Sequence, residues 1–379
     1  MRIGFRSAVF LALSTALLAQ TPGRFYVGGL DFNAITRPPI PSDPLELVTS
    51  AAQPTDDADQ RIAALGLLNT ARGLSNVRAQ PYDLKTTFTA SGGLESDGSW
   101  TLEDVSRGHA YRWTAQGPNY TAVNLYPNSV ANGLYGSLTG GVAPMRLLQA
   151  RSAIFFNSAM VGQYASVRTA SGYLNGAEQH CVLVAIGAGA HGYSGTRNWE
   201  ESEYCTDAKS GLLTMYSPVP GLYVQYDYSS AINFHGKIIP NGFVISQGGQ
   251  TVVDAKTVSV TDPPASTDAI FSPNGLPALG TGRAMNPGIN IPMVMPAPGK
   301  PFPQATANAA MQVVTLHGNY TQSGGVSEVE ILASTDADLN QAAIERAKAM
   351  RQARAQGQPG TTPQSSELIF TFEFVIAAQ

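Results

Sequence analysis

The chain has 379 residues, a formal net charge of −4 and a charged fraction of only 13%. Its hydrophobic content of 43% is enough for two domains with buried cores, which excludes global disorder. The slightly acidic balance leaves no basic field, which excludes nucleic acid as a partner. The 38 glycines and 25 prolines favour an exported, β-rich protein over a helical cytosolic enzyme.

Residues 1–19 have the pattern of a signal peptide that is cleaved near Ala19. Arg2 and Arg6 provide the charged region, and an apolar run from Ala8 to Ala19 follows it. As a helix, this run would span about 18 Å, whereas the hydrocarbon core of a membrane is about 30 Å thick. A cleaved signal is therefore favoured over a membrane anchor, and we expect a periplasmic or secreted protein.

A proline-punctuated, extended arm is predicted for residues 20–55, and an antiparallel β domain for residues 56–261. The domain opens with a helix over Asp56–Ser75, and a second helix is predicted near Pro144–Ser158. Gly, Asn, Pro and Asp separate the remaining segments at short spacing, as in a meander. The predicted strands are Tyr82–Ala90, Ser99–Val105, Ala110–Gln116, Tyr120–Leu125, Val161–Ser171, Gln179–Ile186, Trp199–Asp207, Leu212–Ser217, Tyr223–Asn233, Gly242–Gln247 and Thr251–Thr261.

The cysteines Cys181 and Cys205 have strand-like flanks. In an oxidising compartment they predict one structural disulfide between neighbouring strands. A metal site is not favoured, because neither cysteine belongs to a CxxC motif and only His180 is close in sequence. We predict no metal and no cofactor.

Two motifs within the β domain could carry chemistry. The run from Gly187 to Gly192 is a formal GxGxxG, but loop-like sequence follows it instead of a helix, so a glycine-rich hairpin is favoured over a dinucleotide site. Alternation places Glu201 and Glu203 on one strand face, where they could form an acid pair, although a solvated face is favoured. No catalytic residues stand out, and the sequence predicts that the protein is not an enzyme.

The order of elements in residues 56–261 is similar to that of the periplasmic lipoprotein carriers of the LolA/LolB type. The resemblance implies an open, curved antiparallel sheet wrapped over helices, with an apolar concavity. The matching phrases are Ala71-Arg72, Pro81-Tyr82, Tyr111-Arg112-Trp113, Cys205-Thr206-Asp207, Tyr226-Asp227-Tyr228 and Lys237-Ile238-Ile239-Pro240. Aromatic side chains could line such a cavity or pack in the core, and they include Tyr111, Trp113, Phe155, Phe156 and Tyr226.

Residues 262–301 are predicted to be a proline-rich linker. The frequent prolines disfavour regular structure and favour extended polyproline II stretches, which could reach up to ~120 Å if fully extended. This segment would act as a spacer between two domains.

A small α+β unit is predicted for residues 302–379. Strands over Gln312–Tyr320 and Val326–Ala333 are joined by a glycine turn, and a last strand covers Glu367–Ile376. In the second strand Val329, Ile331 and Ala333 alternate with Glu328 and Glu330. Between the second and last strands, a helix begins at Asp336 or Asp338 and has an apolar stripe made by Leu339, Ala342, Ala343, Ala347 and Met350.

Residues 302–376 resemble the C-terminal domain of TonB-family proteins. The resemblance implies that an extended segment of a partner protein, possibly from an outer-membrane transporter, adds to the edge of the last strand. It rests on Phe302-Pro303, Gly324-Gly325-Val326, Val329-Glu330-Ile331-Leu332, Asp338-Leu339-Asn340-Gln341-Ala342-Ala343, Gly357-Gln358-Pro359 and Phe370-Thr371-Phe372-Glu373-Phe374. Met350-Arg351-Gln352 departs from the aromatic group that the family carries at the helix end.

The predicted docking edge consists of Leu368, Ile369, Phe370, Thr371, Phe372, Glu373 and Phe374. Residues 357–366 or a second copy of the domain could equally cover it. The sequence thus predicts a mainly β protein with a small α+β unit, acting as a cell-envelope adaptor that docks a partner by strand addition. The alternative is a periplasmic carrier of lipid or lipoprotein that uses the cavity of the β domain.

Overall fold

The structure is a computed structural model. It describes residues 38–41, 43–47, 53–54, 58–127, 134–140, 143–155, 165–186, 196–264, 269–280, 289–300, 310–320, 325–350 and 367–376. The predictions for the signal peptide, for the glycine motif at 187–192 and for Phe156 lie outside these residues.

The chain forms strands along most of its described length. The helices are α1 (Ala58–Ser75), α2 (Met145–Ile154) and α3 (Asn340–Ala349), and a 3₁₀ turn covers Val77–Ala79. The strands are β1 (Glu46–Leu47), β2 (Gln53–Pro54), β3 (Tyr82–Ala90), β4 (Gly98–Arg107), β5 (Ala110–Gln116), β6 (Thr121–Tyr126), β7 (Leu134–Thr139), β8 (Ala165–Leu174), β9 (Ala177–Ile186), β10 (Ser202–Asp207), β11 (Leu213–Val219), β12 (Leu222–Asp227), β13 (Ile232–Phe234), β14 (Lys237–Ile239), β15 (Gly242–Gln247), β16 (Gln250–Thr261), β17 (Ala278–Gly280), β18 (Ile289–Pro296), β19 (Ala310–Tyr320), β20 (Val326–Ser334) and β21 (Glu367–Ile376).

A 15-stranded antiparallel sheet dominates the molecule. Its spatial order is β1-β8-β9-β10-β11-β12-β15-β16-β3-β4-β5-β6-β7-β17, with β2 also paired to β8. Two meanders are therefore joined at one seam, where β16 pairs with β3. The predicted fold class, an open antiparallel sheet with helices and a small α+β part, is confirmed.

Alternating side chains place an apolar row on one face of this sheet. Tyr204, Tyr216, Val224, Ile245 and Val253 are successive cross-strand partners, so they point to the same side. Helix α1 packs on the Tyr204 end of the row, and α2 packs on the Ile245 end. We call this side of the sheet the helix face.

The two helices contact the helix face in different ways. Helix α1 buries Ala64, Leu68 and Ala71, which recur at the spacing of one helical stripe, and exposes its other side. Helix α2 is buried around nearly its whole circumference, and even Arg146 and Arg151 are buried. Such a helix must have protein on both sides, and a second sheet provides the other side.

That second sheet has four strands in the order β18-β21-β19-β20. One of its faces packs on α3, whose predicted apolar stripe buries Leu339, Ala343 and Ala347 against the sheet. The other face lies over α2 and the large sheet, and we call it the docking face. It carries Met311, Val313, Leu332, Ile369 and Val375.

The alternation predicted for β20 is interrupted by a β-bulge. Val329 and Ile331 pack towards α3 as predicted, but Ala333 packs with Trp199 on the docking face. The reason is a register shift, because Thr315 pairs with Ala333 while Leu316 pairs with Ile331. The extra residue of β20 reverses the side on which the following side chains lie.

The prediction that the last strand offers an open edge is wrong. Strand β21 is bonded on both sides, antiparallel to β19 and parallel to β18. All its residues from Glu367 to Val375, which include Leu368, Ile369, Phe370, Thr371, Phe372, Glu373 and Phe374, are buried. Its parallel partner β18 comes from the segment that was predicted to be a spacer.

The spacer prediction is correspondingly wrong over two stretches. Strand β17 pairs with β7 at the edge of the large sheet, and β18 completes the four-stranded sheet. Proline is compatible with an edge strand, which has one side free of ladder bonds, so Pro292 and Pro296 do not prevent β18 from pairing. Within the described part of the chain, no helix is long and apolar enough to cross a membrane.

Candidate functional site

A cavity of about 70 Å³ lies where the ends of α1 and α2 meet the helix face. Its inner wall is mainly apolar, although Thr86 and Thr257 also line it, and it combines the C-terminal turn of α2 with residues of the sheet. Leu84, Ile154, Phe155, Leu213, Ile239 and Phe243 contribute to this wall. Its mouth is polar and is formed by the last turn of α1 and the 3₁₀ turn, through Arg72, Ser75, Asn76 and Arg78.

Two of the aromatic side chains proposed for a cavity do line it, namely Phe155 and Tyr226. The Tyr226 hydroxyl donates a hydrogen bond to the Ala153 carbonyl at 2.9 Å, which ties the sheet to α2. Burial raises the pKa of Tyr226, so its hydroxyl stays protonated and neutral. Tyr226 therefore contributes a neutral hydroxyl to the wall of the cavity.

Tyr111 and Trp113, which were proposed for the same cavity, lie elsewhere. The guanidinium of Arg151 stacks 3.9 Å from the centre of the Trp113 ring and donates to Asp104 at 3.0 Å. The Tyr111 hydroxyl bonds to both Asp104 and Arg151. These residues fix the side of α2 that faces β4 and β5, and they play a structural part.

The docking face holds α2 through a polar cluster, which we call the α2 clamp. Arg146 Nη2 donates to Glu330 Oε1 at 2.8 Å, and Gln149 Nε2 donates to Glu367 Oε1 at 3.1 Å. His317 lies between the carboxylates, with Nε2 at 2.6 Å from Glu330 and Nδ1 at 3.6 Å from Glu367. The clamp consists of Arg146, Gln149, Gln247, His317, Glu330 and Glu367.

The docking face also satisfies the start of α2. The residue before the helix, Pro144, provides no side-chain cap. Instead, the Glu328 carboxylate accepts a hydrogen bond from the Met145 amide at 3.2 Å. A carboxylate at this position satisfies an amide that has no partner within the helix and interacts favourably with the helix dipole.

The clamp carboxylates differ in how readily they ionise. Burial would raise the pKa of Glu330, but His317 and Arg146 outweigh it and lower this pKa to about 2. Burial raises the pKa of Glu367, and the nearby His317 and Gln149 offset only part of that effect. Glu330 is thus paired with the cation Arg146, and Glu367 accepts a hydrogen bond from the side-chain amide of Gln149, so both carboxylates tie α2 to the docking face.

The clamp makes the stability of the fold depend on pH. Because the folded-state pKa of Glu330 lies below its ordinary value of 4.5, its ionised form stabilises the fold above that pH, and this stabilisation is lost as the pH falls to about 2. We expect Glu330→Gln to be less stable than wild type by about 2 kcal/mol at pH 6, with the difference shrinking towards pH 2. Urea unfolding across this range checks it, with Glu345→Gln on the exposed side of α3 as control. A difference that does not change with pH would contradict the prediction.

Glu201 and Glu203, for which a solvated face was favoured, are buried in ion pairs. Arg168 donates to both oxygens of Glu201 at 2.7 Å, and Arg197 donates to Glu203 at 3.1 Å. Burial raises the pKa of Glu203, and the Arg197 guanidinium opposes this shift. The expectation failed because each arginine comes from another segment, which alternation within one strand cannot show.

The predicted disulfide is confirmed, since Cys181 and Cys205 are direct partners on β9 and β10 and are bonded. Among the described residues, Glu203 is the one further group of metal-binding type near both sulfurs, within 4.8 Å. A disulfide leaves neither sulfur as a thiolate, so these described groups do not form a metal site. A disulfide of this kind is typical of extracytoplasmic proteins.

No protein-family model matches the chain, and no curated protein matches it. Among solved structures, a LolA superfamily protein from Nitrosomonas europaea is similar over 55% of this chain and 97% of its own, with 10% identity and a TM-score of 0.36. A likeness of this size is too low to bear on fold or function. The resemblance of residues 302–376 to TonB-family proteins stays a prediction.

Proposed function

We propose that this protein is an exported, non-catalytic carrier that holds an apolar chain, such as an acyl chain, between its helices and the large sheet. The observation that carries the proposal is the cavity at the ends of α1 and α2, with its apolar wall and polar mouth. Such a wall favours a ligand with a long apolar part, because burying apolar surface contributes about 25 cal/mol per Å². The resemblance of residues 56–261 to lipoprotein carriers implies the same class of ligand.

The carrier must open to take up such a ligand. The cavity measures about 70 Å³, whereas sites for drug-sized molecules measure roughly 300–1,000 Å³. We infer that the wall that moves is the end of α2, where Ile154 and Phe155 lie, since the large sheet is fixed by its ladders. The clamp holds α2 on its other side, so we infer that weakening the clamp makes ligand entry easier.

The sequence favoured the function of an adaptor that docks a partner by strand addition, and we now rank this function second. A partner strand could reach β21 only by displacing β18, which pairs with it from Ile289 to Pro296. The outer edge of β18 is a poor template for a further strand, because Pro292 and Pro296 have no N–H to offer. Carriage of an apolar chain requires no such exchange of strands.

Filling the cavity provides the test of the carrier. Ile154 is half-buried in the wall, so we expect Ile154→Trp to occupy the cavity without unfolding the chain. The variant should bind the neutral apolar dye N-phenyl-1-naphthylamine at least ~10-fold more weakly than wild type, which corresponds to about 1.4 kcal/mol. Fluorescence titration of the full chain measures this affinity.

The matched control is Ile344→Trp, which makes the same change at a half-buried position of α3. It should bind the dye as wild type does. Mass spectrometry of lipid extracted from protein purified from its own envelope gives a second readout. If the wild-type chain neither binds the dye nor carries lipid, the proposed function is wrong.

A further inference from the structure

Two arginines stand at the mouth of the cavity. Arg72 belongs to the last turn of α1, and Arg78 belongs to the 3₁₀ turn that follows it. Both are exposed to solvent, and both line the cavity. Asn76 fixes the intervening turn, because its side chain accepts a hydrogen bond from the Arg78 amide at 3.1 Å. The backbone that carries the two arginines is therefore ordered, and both side chains start from the same rim of the cavity.

No carboxylate among the described residues forms an ion pair with either of these two arginines. No aspartate or glutamate is found among the described residues that line the cavity. The four arginines in the interior behave differently, because each forms an ion pair with a carboxylate: Arg146, Arg151, Arg168 and Arg197. No such ion pair exists for Arg72 or Arg78 within the described part of the chain. A third cation stands close by, since Lys237 Nζ donates to the Gly73 carbonyl at 2.6 Å.

The positive mouth and the apolar wall meet at one contact. The Arg78 guanidinium lies 3.9 Å from the centre of the Phe155 ring. Phe155 follows the last residue of α2 and belongs to the wall. A group that bonds to Arg78 is thus placed directly beside the apolar interior. An anion with an attached chain fits this geometry, with its charge outside and its chain inside.

We propose that the mouth of the cavity binds the anionic head of a single-chain amphiphile, a carboxylate or a phosphate, through Arg72 and Arg78. This inference rests on the proposed function, because the chain of the amphiphile would occupy the same cavity. Guanidinium groups suit the head well, since their planar N–H donors pair with carboxylate and phosphate oxygens in two parallel hydrogen bonds. The mouth thereby selects among apolar ligands by the charge of the head.

Competition against a neutral dye tests the selection. Dodecanoate, dodecyl phosphate, dodecanol and inorganic phosphate are each used to displace N-phenyl-1-naphthylamine from the full chain. We expect both anionic amphiphiles to bind about 10-fold or more tightly than dodecanol, and inorganic phosphate alone to displace no dye. In the double variant Arg72→Gln/Arg78→Gln, the affinity for dodecanoate should fall to that for dodecanol. The affinity for dodecanol should be the same as in the wild type. The control Arg346→Gln, an exposed arginine of α3, should behave as wild type.

The outcomes separate this inference from the carrier itself. If dodecanol and dodecanoate bind equally and the double variant alters neither, the carrier stands and the anionic head is wrong. If the anions bind more tightly but the double variant keeps the preference, Arg72 and Arg78 are not the head-binding residues. If the dye itself does not bind to the wild-type chain, the proposed carrier function is wrong, and this inference is wrong with it. Circular dichroism of each variant establishes that the fold is retained.

Discussion

Replacing Arg168 by methionine is expected to lower the free energy of unfolding by about 3–5 kcal/mol. The guanidinium of Arg168 and the carboxylate of Glu201 are both inaccessible to water and share two hydrogen bonds of 2.7 Å. Methionine fills similar space but leaves the carboxylate buried without its cation. Removing one partner of a buried pair is costly for that reason, and the penalty exceeds the net worth of the pair itself.

Urea unfolding at neutral pH measures the effect, and two further variants isolate its cause. In Lys85→Met, methionine likewise replaces a cation but breaks an exposed ion pair, that of Lys85 with Glu103, and the change should cost less than ~1 kcal/mol. In Arg168→Met/Glu201→Leu no charge is left behind, so most of the lost stability should return. If the double variant is as unstable as the single one, packing rather than the unpaired carboxylate is responsible.

A methyl group added at Gly221 is expected to force the docking face away from the large sheet. Gly221 has a positive φ of 91° in the turn between β11 and β12, and a Cβ there would lie 2.3 Å from the Leu332 carbonyl oxygen. Because that neighbour is backbone of β20, the whole strand must shift. We expect Gly221→Ala to lose about 1–2 kcal/mol from the left-handed conformation and a further ~1–3 kcal/mol from the clash.

The control for this variant is Gly236→Ala. Gly236 also has a positive φ, of 74°, but nothing lies within 4 Å of a Cβ at that position. It should therefore show the conformational cost alone. Hydrogen exchange locates the difference, since only Gly221→Ala should speed exchange at amides of β19 and β20. Equal exchange in the two variants would mean that the close approach to Leu332 does not hold the sheets together.

Sequence periodicity predicted the strands that alternate clearly. The predicted bounds of β3, β5, β15 and β21 agree with the structure. The first three pair with a neighbour along the chain through a hairpin, whereas β21 pairs with the distant strands β18 and β19. The disulfide was predictable for a similar reason, because its two strands are adjacent in sequence as well as in the sheet.

The elements that the sequence did not reveal depend on distant partners. Strand β18 contains two prolines and is ordered by β21, so its own residues gave no strand pattern. Alternation likewise shows which side chains share a face but not what covers them. Phe155 lines the cavity because α2 ends there, whereas Trp113 is covered by Arg151 from the same helix. Neither the basic mouth nor the α2 clamp could be found without knowing which segments meet.

The seam between β3 and β16 also bears on the speed of folding. Across it, the Ser91 hydroxyl bonds to the Thr251 carbonyl over a separation of 160 residues. Closing a loop of that length costs about 4.5 kcal/mol of chain entropy before any pairing offsets it. Each meander is built from successive hairpins and can form earlier. The seam is therefore expected to form late, and we expect the chain to fold slowly. Until then each half exposes an unpaired strand, the kind of edge on which incompletely folded chains aggregate.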